Sequence, residues 1–212
     1  MGIIEWTILS VLTIGVVFGV LSFKRLPLDM RYLTFFFITT LTLELASDYV
    51  MTLRQRNLYL YHIFIPIQYL YLAIFYKENI DSKFVKIGIL ASIFFIFITE
   101  TVFILTIQTL NDSPSLISFI TRIILLFWVL IYLLSLLKKE IPVLLVSLPA
   151  FWVSIGFLFY FTSIFPTGLM DYLISINRKA AHRWYNLGLW FDVLFYIICI
   201  IPLYQFFSKI TK

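Results

Sequence analysis

Residues 84–106 read FVKIGILASIFFIFITETVFILT, a stretch in which only Lys86 and Glu100 carry charge. Strands rarely run past about ten residues, whereas about 20 apolar residues in a helix cross the hydrocarbon core of a bilayer. The stretch therefore reads as a membrane-spanning helix with a glutamate well inside it. An ionisable group at that depth costs roughly 2.5–3.5 kcal/mol on insertion scales. A chain that keeps one there needs a partner for it or a polar cavity around it.

Apolar runs of similar length recur on both sides. The expected helices cover about 3–23, 32–52, 58–76, 84–106, 116–137, 143–165 and 185–207. Lys24-Arg25-Leu26-Pro27 closes the first, Arg54-Gln55-Arg56-Asn57 separates the second from the third, and Lys77 to Lys83 follows the third. Asn111-Asp112-Ser113-Pro114 is a turn signal, and Lys138-Lys139-Glu140 precedes Pro142, which suits the first turn of the sixth helix. Helix 2 is the least apolar, because Glu44 and Asp48 lie in it. The expected fold is all-α: one polytopic seven-transmembrane-helix bundle over residues 1–212.

Composition agrees. The chain is 62% hydrophobic and 13% charged, with mean hydropathy +1.00, which excludes a soluble domain. The opening Glu5, and the lack of a small-x-small site after the first apolar run, favour a first span over a cleaved signal peptide. Its net charge of +5 comes from Lys and Arg in short loops, so nucleic acid is not an expected partner. Single Cys199 excludes an internal disulfide and any multi-cysteine metal site. With the N-terminus outside, ten basic residues fall on the cytoplasmic side and five on the outer side, so the expected orientation is N-out, C-in. Richness in Ile, Phe, Leu and Lys points to a bacterium of low GC content. The one long loop, residues 166–184, is expected outside. Leu169, Tyr172, Leu173 and Ile176 have helical spacing there, as in an interfacial helix or a lid.

Glu44, Asp48, His62, Glu100, Arg122 and Asp192 all fall inside expected spans. At 1.5 Å per residue, Asp48 lies roughly 9 Å from the midplane, His62, Glu100, Arg122 and Asp192 roughly 6–8 Å, and Glu44 about 3 Å. Alternating helix directions put all six on the same side. Gln68 is near the centre. Glu44 and Asp48 share a helix face, as do Asp192 and Tyr196. Four carboxylates against one guanidinium and one imidazole leave a surplus of acid, which calls for protonation, water or an incoming cation. The expected pocket comprises Glu44, Asp48, His62, Gln68, Glu100, Arg122, Asp192 and Tyr196. The bland alternative is that Arg122 locks helix 5 to a neighbour through one acid while the others face a wet vestibule.

Other chemistry is poorly supported. Two histidines, one of them in a loop, do not make a haem or zinc set, so no metal or cofactor is expected. No hydrolase elbow, dinucleotide fingerprint or phosphate loop is present. Asp48 and His62 are placed somewhat as in small membrane lysoplasmalogenases, but Ser47 stands where their signature has glycine, and no enzyme is expected. Pro66, Pro149 and Pro202 are expected to interrupt helices 3, 6 and 7. Trp6, Trp184 and Trp190 suit an interfacial belt. Trp128 and Trp152 suit the core, and Ser154 with Gly156 a close helix contact.

Two stretches, Asn57-Leu-Tyr-Leu-Tyr-His-Ile-Phe-Ile-Pro-Ile-Gln-Tyr-Leu in helix 3 and Phe151-Trp152-Val-Ser-Ile-Gly-Phe-Leu-Phe-Tyr160 in helix 6, carry a resemblance. The chain resembles an uncharacterised group of small seven-helix inner-membrane proteins common in Bacteroidetes. Those proteins often have glutamate where Gln68 stands here. The resemblance implies a bacterial inner-membrane protein encoded near signalling kinases, and supplies no activity. The expected function is a receptor-like or sensory membrane module. Its outward-facing acidic pocket would take a small ligand, for which the acid surplus favours positive charge, and a separate protein partner would carry the output. The alternatives are a small-solute or ion transporter and an accessory subunit of a membrane complex.

Overall fold

The computed structural model describes residues 2–107, 109–138, 144–162 and 175–209. They form seven α-helices: α1 Ile3–Ser22, α2 Leu28–Thr52, α3 Leu58–Asn79, α4 Lys83–Thr106, α5 Ser115–Leu137, α6 Pro149–Thr162 and α7 Arg178–Ser208. All but α6 are long and apolar enough to cross a membrane. The chain is thus a multi-pass helical membrane protein.

Three helix starts, those of α2, α6 and α7, differ most from expectation, each for a local reason. Helix α2 starts at Leu28 rather than 32, because Pro27 occupies its N-cap and Asp29 its first turn, where a negative charge suits the helix dipole. Helix α7 starts at Arg178 rather than 185. The Asn177 side chain accepts from the Lys179 and Ala180 amides, both at 3.1 Å, so residues counted as loop become two further helical turns. Helix α6 is the largest correction. Pro149 does not interrupt it but begins it, where a missing N–H costs nothing. A short 3-10 turn, Leu145–Ser147, precedes it, and the Trp152 indole donates to the Val146 carbonyl at 2.9 Å. Residues 139–143 and 163–174 lie outside the described residues, and with them Pro142, Leu169, Tyr172 and Leu173 of the expected lid. Pro66 and Pro202 do sit inside α3 and α7.

Packing arranges the helices in a ring. Helix α1 lies against α2 and α7, α2 against α3, α3 against α5, α5 against α6, and α6 against α7. Helix α4 stands outside this ring and touches α3 and α5. It buries a single stripe, Ile89, Ile93, Ile96 and Glu100, and exposes residues such as Phe94, 70% accessible, on the opposite face.

In lipid, helices associate through close packing more than through a hydrophobic driving force. Gly15 and Gly19 on α1 supply it: a Cβ on Gly19 would lie 2.6 Å from Thr34 Cγ2 on α2. Gly156 likewise lets α6 meet Phe195 and Ile198 of α7. The half of the bundle remote from the N-terminus is filled. Phe37, Phe75, Tyr76, Tyr132, Val153 and Phe195 are all buried, and Tyr76 and Ser154 join hydroxyls at 3.2 Å. Cys199 packs there as a buried free thiol.

Candidate ligand-binding cavity

The other half is hollow. A cavity of about 520 Å³ is lined by the first turns of α1, the second half of α2, the first halves of α3, α5 and α7, and Tyr160 of α6. Consecutive helices run in opposite directions, so all these segments lie at one end of the bundle. The volume is in the range of small-molecule sites, about 300–1,000 Å³.

Helical periodicity explains which side chains reach the cavity. On α2, Phe36, Thr40, Glu44 and Asp48 follow at intervals of four. Tyr61, Ile65, Gln68 and Leu72 on α3, and Tyr185, Leu189, Asp192 and Tyr196 on α7, follow at intervals of three or four. The α5 stripe is Ser118, Thr121, Arg122 and Leu125. Of the expected set, Glu44, Asp48, Gln68, Arg122, Asp192 and Tyr196 share this space. Glu5 joins them from α1. It also accepts from the Gly2 amide at 2.7 Å. The acid count of four expected here holds, but with Glu5 in the place of Glu100.

The charges are uneven. The groups acting on Glu44 electrostatically are carboxylates: Asp48 first, then Asp192 and Glu5. Arg122 is the cavity's buried cation. Its guanidinium carbon lies 4.4 Å from the centroid of the Tyr160 ring, a cation–π distance, and Asp192 lies within its electrostatic reach. At the inner end, Gln68 donates to the Thr40 hydroxyl at 3.0 Å, which in turn donates to the Phe36 carbonyl at 2.8 Å. Buried Phe36, Tyr69, Leu72, Leu125 and Tyr196 form the floor. Near the mouth, Asn57 donates to the Ser47 hydroxyl, and Ser47 meets Tyr61 at 3.3 Å. Among the described residues, no three His, Cys, Asp or Glu side chains converge as a metal ion would require.

His62 and Glu100 do not line this cavity. His62 faces α4 instead, where Nδ1 lies 2.6 Å from Glu100 Oε1, and Nε2 lies 3.1 Å from the Asp112 carbonyl. A carbonyl only accepts, so Nε2 carries a hydrogen, and one proton is shared between Nδ1 and the carboxyl. Both side chains are buried. The pair is a clamp between α3, α4 and the turn into α5. The physical reason for the split is the position of α4: it lies outside the ring, so no residue on it can reach the central space.

Sequence reasoning missed Glu5 and the tyrosines Tyr61, Tyr160 and Tyr185. Tyr61 and Tyr185 carried a signal, since each begins the stripe that leads to Gln68 or Asp192. Tyr160 carried none, because its role depends on Arg122 of a different helix. Compared with known proteins, the chain matches no family model, no curated protein and no solved structure.

Proposed function

We propose that the chain is a receptor-like, sensory membrane module whose cavity binds a small cationic ligand. The supporting observation is that the cavity is acidic, opens at one end of the bundle and stops at a packed floor. Four carboxylates against one guanidinium attract a cation, and tyrosine faces stabilise one further. The filled half beyond the floor favours sensing over passage. In this reading all seven helices span a bacterial inner membrane, with α6 as the shortest span. The charge distribution of the loops puts the N-terminus, and the cavity mouth, outside. The loops on the other side are too short for an output domain, so a separate protein partner carries the signal. Pro66 and Pro202, inside two cavity-lining helices, give those helices places to bend.

The test is a ligand-dependent response in cells, read with and without Glu44→Gln and Asp192→Asn. The reading expects both substitutions to abolish the response while the protein stays in the membrane. A response that survives both would end it. Uptake of an organic cation by proteoliposomes holding only this chain would replace it with transport.

A further inference from the structure

Helix α7 is longer than a membrane span requires. Its 31 residues cover roughly 46 Å, against about 30 Å of hydrocarbon. The excess lies at its start. Glu5 and Tyr185 line the same cavity, and Glu5 sits in the first turn of α1, whereas about two turns of α7 precede Tyr185. Residues 178–184 therefore stand beyond the start of α1, at the depth of lipid headgroups.

These turns carry a recess of about 530 Å³, lined among the described residues by Asn177, Lys179, Ala180, Arg183, Trp184 and Leu187. Helical periodicity puts this face on the opposite side of α7 from the cavity stripe of Tyr185, Leu189, Asp192 and Tyr196. Lys179 and Arg183 stand one turn apart on it, about 6 Å along the axis, and both are exposed. No acid lines the recess among the described residues. The helix end is already occupied, because the Asn177 side chain accepts from the Lys179 and Ala180 amides. The positive charge of the recess thus comes from two side chains. Toward the membrane interior the same face turns apolar, with Trp184, Leu187 and Trp190 half-exposed. Cations at headgroup depth above apolar groups complement a molecule with an anionic head and an acyl tail. A soluble anion would use the charges and leave the apolar half bare.

We infer that the recess on α7 holds an anionic phospholipid, with its phosphate between Lys179 and Arg183, its glycerol over the Trp184 ring and an acyl chain along Leu187 and Trp190. The Arg183 guanidinium forks onto two phosphate oxygens, and the Lys179 ammonium adds a point charge. A zwitterionic head carries its own ammonium beside the phosphate, which the two cations repel. Each basic side chain near an anionic lipid surface is worth roughly fivefold in affinity. The site is separate from the cavity, yet it lies on a helix that carries Asp192 and Tyr196 to the cavity wall. A lipid bound there anchors that wall.

The experiment is native mass spectrometry of the purified full chain in detergent, titrated with dioleoylphosphatidylglycerol, dioleoylphosphatidylcholine and inorganic phosphate. The phosphatidylglycerol is expected to bind at least about tenfold more tightly than the phosphatidylcholine, as two such cations would supply. Inorganic phosphate at the same concentration should not displace it. Lys179→Gln with Arg183→Gln should bring the ratio of the two lipid affinities close to one. Arg54→Gln with Arg178→Gln removes the same charge but no lining residue, and should leave the ratio unchanged. Equal binding of both lipids by the unaltered chain would overturn the assignment, and that comparison needs no variant to fold. A preference kept in Lys179→Gln with Arg183→Gln, or lost equally in both double variants, would also overturn it. Displacement by inorganic phosphate would make the recess a soluble-anion site and overturn the lipid.

Discussion

The cavity and the His62–Glu100 clamp hold the same residue type at similar depth and treat it in opposite ways. In the clamp, Glu100 meets an imidazole at 2.6 Å, and the imidazole's second nitrogen meets a backbone carbonyl. One carboxylate oxygen is bonded within the protein, while Oε2 is buried without a hydrogen-bond partner among the described residues. In the cavity, Glu44 has other carboxylates as its electrostatic neighbours. Nothing about depth separates the two cases; the partner does. An acid bonded to a neighbouring helix joins the two helices, whereas acids grouped around a hollow set up a field that favours a cation.

The sharpest way to break this comparison is to substitute one member of each region and compare signs. His62→Ala leaves Glu100 buried with its partner gone and should cost about 3 kcal/mol of stability, as for other broken buried pairs. The check is the unfolding midpoint in nanodiscs, which should fall sharply; an unchanged midpoint would remove the clamp from the account. Next in size is Gly19→Leu, expected to cost about 1–3 kcal/mol by forcing α1 from α2, as overpacking does. It would show how far the ring itself supports the cavity. Glu44→Gln should act in the opposite direction to His62→Ala. Removing one of several like charges should raise the midpoint by about 0.5–1 kcal/mol equivalent, the scale of partly solvated charge pairs. A fall as large as that of His62→Ala would make Glu44 a structural acid too.

The smallest effect concerns the turn that the clamp holds. Asp112 accepts from the Thr109 amide at 2.8 Å and from its hydroxyl at 2.9 Å, and these bonds hold its carboxyl below the usual range. Its contribution is therefore present above the ordinary aspartate value and lost as pH falls through the lowered one. Asp112→Asn should lower the midpoint slightly near neutral pH, and the difference from the unaltered protein should vanish in strong acid. A difference that grew in acid would contradict the assignment.

How much of this was legible in sequence follows from what each feature depends on. Helix number and most boundaries depend on local runs of apolar residues, and those were readable. The α6 start was misread because a proline in an apolar run looks the same whether it kinks a helix or begins one. The end of the bundle at which each acid lies was readable too, because it needs only helix direction and the rise per residue. What sequence could not give was which helices neighbour which. With α4 inside the ring, Glu100 would have joined Glu44; with α4 outside, it pairs with His62. Glu5 was overlooked for the complementary reason: it sits at a helix start, where acids are commonplace, and its role comes from α2 and α7 facing it across the mouth.

The central claim is a cavity reached from one face of the membrane only. It is tested by a single cysteine at Ser118, a lining position on α5, in a background carrying Cys199→Ala. Membrane-impermeant maleimide is applied separately to each face of oriented vesicles. The account predicts labelling from the face that carries the N-terminus and none from the other. Labelling at equal rates from both faces would show a through-path, and would contradict it.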